Sequence, residues 1–259
     1  MNWDGRPSPA PGAPAGTRTP GPSEPGPGSR DAAPRGGTLS VVIPALNEEV
    51  CLPETLRRVV GAPGIREVLV VDGGSDDTTV ATAQNAGAVV VLSERGRGAQ
   101  LRAGAAAASG ELLWFLHADT LSPPAAALGI EEALRDPRVV GGAFTVRFSG
   151  DSRGARFFTR AAAVLRRIGL GYGDAGIFVR RDAYDRVGGI APFPLFEDLD
   201  LVRRLQRAGK FVILPAAVVT SSRRFEGRAA RTLFLWVWLH VLYWLGVPPV
   251  VLARLYRRK

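Results

Sequence analysis

Apolar and polar positions follow two rhythms along the chain. From Leu39 onward, short apolar runs alternate with stretches in which apolar residues return every three or four positions. "LSVVIP" (39–44), "EVLVVD" (67–72), "AVVVL" (88–92) and "ELLWFL" (111–116) are nearly all apolar, as strands buried on both faces are. Between them, "EEVCLPETLRRVV" (48–60), "SDDTTVATAQNAG" (75–87) and the alanine-rich "GAQLRAGAAAASG" (98–110) are expected as helices. The second of these is expected to be capped by Ser75 or Asp76 and closed at Gly87. Strand and helix in strict alternation predict an α/β fold, with a mostly parallel central sheet flanked by helices.

Beyond Pro124 the pattern changes. A helix is expected through Leu134, then a strand at "VVGGAFTVRF" (139–148), whose alternating end suggests partial exposure. A basic helical segment over 153–168 leads to "GYGDAGIFVRRDAYDRVGG" (171–189). "PLFEDLDLVRRLQRAGK" reads as a helix opening near Glu197, and "FVILP" and "AVVTSS" as two short strands. Residues 1–37 are mostly Pro, Gly, Ala and Ser with no apolar segment, so they are read as a disordered tail without a signal peptide. The folded domain is expected over 38–225, followed by an apolar, basic-flanked helical segment over 226–259.

Composition narrows the chemistry. The formal charge of the 259 residues is +9, carried almost wholly by arginine, since Lys210 and Lys259 are the only lysines. That balance favours anionic partners such as nucleotides or acidic lipid surfaces. Nucleic acid is set aside, because the basic residues are scattered and no helix-turn-helix or aromatic RNA-binding motif accompanies them. Cys51 is the sole cysteine, which excludes an intramolecular disulfide and a cysteine zinc cluster.

In an open α/β sheet, ligands bind outside the carboxyl ends of the strands. Four polar stretches fall there: "PALNEE" (44–49), "DGGSDDTT" (72–79), "SERGRGAQ" (93–100) and "HADT" (117–120). Asp72 ends its strand before Gly73-Gly74, where a carboxylate can accept from a ribose or base edge; it can equally cap a strand-to-helix turn. Arg95 and Arg97 suit diphosphate oxygens, which guanidinium binds bidentately, or else lie in a solvated loop. Asp119 offers a hard oxygen ligand to Mg²⁺ or Mn²⁺, with His117 a second ligand or an orienting group. Asp198, in "FEDLD", could remove a proton from an attacking hydroxyl, whereas Glu197, Asp198 and Asp200 together also suit a helix first turn.

Taken in order, "VVIPALNEE", "EVLVVDGGSDDTT", "HAD" and the "ED" of "PLFED" resemble family 2 glycosyltransferases of the GT-A fold, from about Leu39 to Arg224. "GYGDAGIFVRR", "TSSRR" and "LGVPPVVLARLYRR" further resemble the arsenosugar-biosynthesis or radical-SAM-associated subgroup. The resemblance implies an inverting, bacterial enzyme that moves a sugar from a nucleotide-diphospho-sugar, UDP-linked, to a hydroxyl acceptor. It implies that Pro44, Asn47, Glu48, Asp72 and Gly73 line the nucleotide pocket, and that Arg95, Arg97 and Gln100 lie near the donor. Gly173 and Asp174 would shape the sugar pocket, Asp119 would hold the Mg²⁺ or Mn²⁺, and Asp198 would be the catalytic base with Glu197 beside it. Two positions depart from the pattern. "HAD" lacks the first aspartate of Asp-x-Asp, and Ala175 stands where related sequences often carry glutamine.

Thr232 to Ala253 is apolar on all sides and carries Trp236, Trp238, Tyr243 and Trp244. Gly246 and Pro248-Pro249 break it, leaving a helix of about fifteen residues against the roughly 20 that a bilayer span needs. Arginines on either side favour a helix lying in the headgroup region at the inner face of the cell membrane, ahead of packing in a homodimer or a domain interface. A membrane-surface site makes a lipid-linked acceptor the natural expectation. Two other classes compete. A sugar-nucleotidyltransferase normally shows an N-terminal glycine-rich loop with a lysine, and "IPALNEE" offers neither. A non-catalytic nucleotide-sugar or membrane-surface binding protein would use the same pocket.

Overall fold

The computed structural model describes residues 38–150, 156–157, 159–160, 174–221 and 229–257. The expected tail at 1–37, most of the helix expected over 153–168, Gly173, and Arg223, Arg224 and Arg228 lie outside the described residues.

An eight-stranded mixed sheet organises the described chain, in the order β3-β2-β1-β4-β7-β6-β8-β5. Strands β1 (Leu39–Ala45), β2 (Ile65–Asp72), β3 (Val89–Leu92) and β4 (Leu112–Phe115) form a parallel half, with β1 between β2 and β4. The other half is β5 (Thr120–Leu121), β6 (Val139–Phe148), β7 (Ile177–Arg180) and β8 (Lys210–Thr220). Here β7 runs antiparallel to both β4 and β6, β6 is parallel to β8, and β5 is antiparallel to β8. Around the sheet lie α1 (Leu52–Val59), α2 (Thr79–Asn85), α3 (Arg97–Ala107), α4 (Ala126–Ala133), α5 (Arg181–Arg186) and α6 (Glu197–Ala208). Two C-terminal helices follow, α7 (Ala229–Trp244) and α8 (Pro249–Arg257).

Three of the four apolar strands are buried as their composition demands. The fourth, β3, expected to be buried on both faces, is instead at the end of the strand order, and its Val89 and Leu92 are exposed. Leu39, Val41, Val42, Ile43 and Val70 are wholly buried, as are Leu113 and Trp114. Helix α3 lies so close to this sheet that a side chain at Gly104 would run into Val42 and Val71, which is why an alanine-rich helix carries glycine there. Across the join to the mixed half, Phe144 packs tilted against Trp114 and edge-on against Phe178, at centroid distances of 5.6 Å and 5.8 Å.

Three further expectations are corrected. Helix α1 begins at Leu52 rather than at 48, with proline in its first turn. Helix α2 begins at Thr79 rather than at Ser75, because the Ser75 hydroxyl and the Asp76 N–H bond to Asp72 and Asn47 in neighbouring loops, while Asp77 accepts from the Glu49 N–H and from the Thr79 N–H that opens the helix. "FVILP" and "AVVTSS" do not form two strands. They join in β8, whose register against β6 slips between Phe144 and Thr145. Pro215 has no N–H to give the ladder, and the Thr145 hydroxyl donates to the carbonyls of Pro215 and Ala216, at 3.1 Å and 3.0 Å.

Helix α7 spans sixteen residues and stops before Gly246, whose φ of +87° suits glycine. Among the described residues no helix is long and apolar enough to cross a membrane.

Candidate active site

The carboxyl ends of β1 and β2 are laced together by their own loops. Asn47, at φ +56°, donates its backbone N–H to the Ser75 hydroxyl and accepts from the Asp76 N–H through Oδ1, both at 2.9 Å. The Glu48 N–H reaches Thr79 Oγ1 at 2.8 Å, and Glu49 Oε2 accepts from both the N–H and the hydroxyl of Thr78. Asp72 is buried, and its carboxylate accepts from the Gly74 and Ser75 N–H groups and from the Ser75 hydroxyl, at 2.9, 3.0 and 2.5 Å. It therefore acts as the turn cap that its sequence also allowed, and the lone pairs left over are what it can offer a ligand.

Gln100 holds the same two strands from behind. Its buried side-chain amide donates to the carbonyls of Ala45 and Val71, at 2.7 Å and 2.8 Å. Gly73 leaves room for that amide, since a Cβ there would come within 3.0 Å of it. The structure thus places Gln100 as a brace of the β1–β2 floor rather than as a group facing the cleft. Pro44 is half-buried at the end of β1, and Arg95 is exposed in the loop before α3.

Past β4, the chain turns through His117 and Asp119, both half-buried. His117 Nδ1 lies 3.0 Å from Asp174 Oδ1, so a residue from the segment before β7 orients the imidazole. Among the described residues no group of three or more His, Cys, Asp or Glu side chains surrounds a metal position. A carboxylate at Asp119, with His117 nearby in sequence, fits an ion that takes most of its ligands from a diphosphate and water, as Mg²⁺ commonly does.

The acidic pair at the start of α6 is the most unusual feature. Glu197 is wholly buried and Asp198 nearly so. Arg97, at the first position of α3, reaches between them: its Nε donates to Glu197 Oε1 and its Nη2 lies 3.3 Å from Asp198 Oδ2. Asp198 Oδ1 accepts the Leu199 N–H at 2.6 Å, while Glu197 Oε2 has no partner among the described residues. Burial pushes the Glu197 carboxyl above its ordinary range, the positive charge of Arg97 opposes this, and Asp198 adds to the rise. For Arg97, burial works against the charge but the two carboxylates outweigh it, holding the guanidinium firmly protonated. Close approach makes this ion cluster possible, because a Cβ at Gly98 would meet the carbonyls of Ala191 and Phe193. Helix α3 thereby touches the segment that delivers Glu197. Beside the pair, Leu101, Phe115, His117, Ile177, Ile190 and Leu201 close off a space of about 10 Å³.

The strand ends, the His117 turn and the paired carboxylates thus converge from five stretches far apart in sequence. The profile of the family described as "Glycosyl transferase family 2" matches residues 40–188, more than half of the chain. The chain belongs to glycosyltransferase family 2. Among curated relatives of this glycosyltransferase is the undecaprenyl-phosphate 4-deoxy-4-formamido-L-arabinose transferase of Sodalis glossinidius. It is 35% identical over 167 residues, covering 57% of this chain and 49% of the relative. The glucosyl-3-phosphoglycerate synthase of Mycolicibacterium smegmatis is 37% identical over 105 residues, covering 36% and 34%. The chain thus spans half or less of the length of these relatives. A crystal structure of glucosyl-3-phosphoglycerate synthase from Mycobacterium tuberculosis, in complex with Mn²⁺, UDP-glucose and phosphoglyceric acid, superposes with a TM-score of 0.61. That match is at 23% identity and covers 82% of this chain and 81% of the synthase, so it establishes the shared GT-A fold.

Two residues beside the acidic pair were not legible in the sequence. Phe196, directly before the acidic pair, has φ +65°, and His240 from α7 packs against its ring. A phenylalanine in a left-handed conformation carries no sequence signal of the kind a glycine would, and His240 lies 43 positions beyond Glu197 in numbering (240 − 197). Only the return of the C-terminal helix to the first turn of α6 joins them.

Proposed function

We propose that this glycosyltransferase transfers a sugar from a UDP-linked donor to a hydroxyl acceptor with inversion, using Mg²⁺ or Mn²⁺. The observation that carries the reading is the juxtaposition of His117, in the turn after β4 that also carries Asp119, with an Arg97-clamped Glu197–Asp198 pair. The Mn²⁺ and UDP-glucose named for the synthase crystal structure support the choice of metal and nucleotide. Asp119 would hold the metal with the donor diphosphate; a bound divalent ion supplies charge neutralisation to the departing group. The β1 and β2 loops would seat the nucleoside through Pro44, Asn47, Glu48, Asp72 and Gly73, with Arg95 toward the diphosphate and Asp174 toward the sugar.

Asp198 would accept the proton of the acceptor hydroxyl as its oxygen forms a bond to the anomeric carbon. The bond from that carbon to the diphosphate oxygen breaks on the opposite side, and configuration inverts. Glu197, locked by Arg97, sets the position of its neighbour rather than taking the proton itself.

The acceptor we propose is lipid-linked and reached at a membrane surface. Exposed apolar residues on α7 support this: Phe234, Val237, Trp238 and Val241 recur at helical spacing, Leu245 follows directly after the helix, and from Gly227 to Lys259 no acidic residue opposes the arginines. The undecaprenyl-phosphate named for one relative points the same way. Within the family we place the chain nearest the arsenosugar-biosynthesis or radical-SAM-associated subgroup, on the sequence motifs at Gly171 to Arg181, Thr220 to Arg224 and Leu245 to Arg258.

Titration calorimetry of UDP and GDP, each with Mn²⁺ and with EDTA, tests the donor. Metal-dependent binding of UDP by the wild type, absent in Asp119→Ala, is the expected result. A folded protein that binds neither nucleotide would overturn it.

A further inference from the structure

Phe196 immediately precedes the acidic pair, at a backbone φ of +65°. A bulky side chain holds that left-handed conformation only where its surroundings enforce it. Those surroundings come from α7. The ring of Phe196 meets the ring of His240 edge-on at 4.7 Å between centroids, and that of Tyr243 at 4.9 Å. His240 is itself buried, and its Nδ1 lies 2.7 Å from the Trp236 carbonyl, which fixes the plane of the imidazole. A second grip lies further along α6, where the Arg203 guanidinium sits 5.1 Å from the Tyr243 ring and 4.5 Å from the Trp244 ring. Helix α7 therefore holds α6 both at the residue before its first turn and along its flank.

We propose that α7 is a positioning element of the active site, in which His240 and Tyr243 clamp Phe196 and so fix the first turn of α6 and the Asp198 carboxylate. The role of Asp198 rests on the transferase reading above; the clamp itself is a claim about the backbone of residues 196–198. One consequence follows for the C-terminal segment. The helix that presents an apolar outer face also braces the site through its inner face, so removing it would abolish turnover as well as surface attachment. Because the clamp sets the orientation of a base and touches no nucleotide-binding group, its loss acts on kcat and leaves donor affinity intact.

The test uses the full chain with His240→Ala, His240→Phe and Phe196→Gly. Turnover of a UDP-sugar, Kd for UDP with Mn²⁺, and amide hydrogen exchange over 196–201 are measured on each. His240→Ala is expected to lower kcat by about ten- to a hundredfold, the cost of a catalytic group displaced by a fraction of an ångström to an ångström. UDP affinity stays at the wild-type value, and protection over 196–201 is lost while that of β1, β2 and β4 is kept. His240→Phe, which keeps a ring against Phe196, restores most of both. Phe196→Gly tolerates the positive φ and removes the ring, so it reproduces the His240→Ala effects even if the alanine variant folds poorly. Unchanged exchange over 196–201, a loss of UDP affinity equal to the loss of kcat, or a His240→Phe variant no better than alanine would each overturn the proposal. Exchange reads the clamp without turnover: a wild type that fails to use UDP-sugars, yet loses protection at 196–201 on His240→Ala, sinks the donor reading and keeps the clamp.

Discussion

Replacing Arg97 by glutamine removes the cation that, among the described residues, holds two buried carboxylates. Glu197 is wholly buried and Asp198 nearly so, whereas the Arg97 side chain is 33% exposed. Breaking a fully buried pair from one side costs about 3–5 kcal/mol; the partial exposure of Arg97 reduces this to about 2–3 kcal/mol near pH 7. In a domain of this size that corresponds to a fall in Tm of about 5–10 °C. The pH dependence is the sharper test. Burial already raises the Glu197 carboxyl above its ordinary value of 4.5, against the pull of Arg97. Without Arg97, burial and Asp198 both push upward, so the folded state keeps a proton that the unfolded state has released. An acid with a raised folded pKa contributes its stability below the unfolded value and loses it as pH climbs through the folded one. The penalty for Arg97→Gln should therefore be smallest at about pH 5 and grow toward neutrality, by up to about 1.4 kcal/mol per pH unit. Urea unfolding of wild type and variant at four pH values between these limits measures it. A penalty below about 1 kcal/mol, or one flat across the range, would show that the cluster does not carry the buried charge.

Other outcomes are expected from the same geometry. Asp198→Asn should reduce turnover by about 10²- to 10⁴-fold while calorimetry finds UDP binding unchanged; a collapse of binding would assign Asp198 to the donor pocket instead. Gly104→Ala gains up to about 1 kcal/mol of helix propensity but forces a methyl into Val42 and Val71, an overpacking cost of about 1–3 kcal/mol, so urea unfolding should show net destabilisation. Phe234→Ser with Trp238→Ser, both on the exposed face of α7, should weaken flotation with anionic vesicles more than with neutral ones; equal flotation of variant and wild type would remove the membrane-surface proposal.

Most of the parallel half of the sheet could be read directly from the chain, because a strand buried on both faces is nearly all apolar, as β1, the Val68–Val71 stretch of β2 and β4 are. The start of α6 at Glu197 was legible for a similar reason: the carboxylates of its first turn and its apolar stripe point to one boundary. Where side chains had a choice of partner, local pattern was a weaker guide. Ser75 has the chemistry of a helix cap, but its hydroxyl bonds instead to Asp72 and to Asn47 of the β1 loop, which lies beside it only after β1 and β2 have paired. Gln100 looks like any polar residue on a helix until the fold sets two strand-end carbonyls in front of it.

The amino-acid sequence by itself determined the α/β alternation, the strand ends at which polar residues gather, and the acidic pair at Glu197 and Asp198, since each depends on residues close together in the chain. Tertiary structure alone decided that Arg97 reaches that pair from 100 positions away and that His240 returns to brace Phe196. Charge neutralisation and ring packing act through space at contact distance, and contact between distant segments is set by how the sheet orders its strands, not by local pattern.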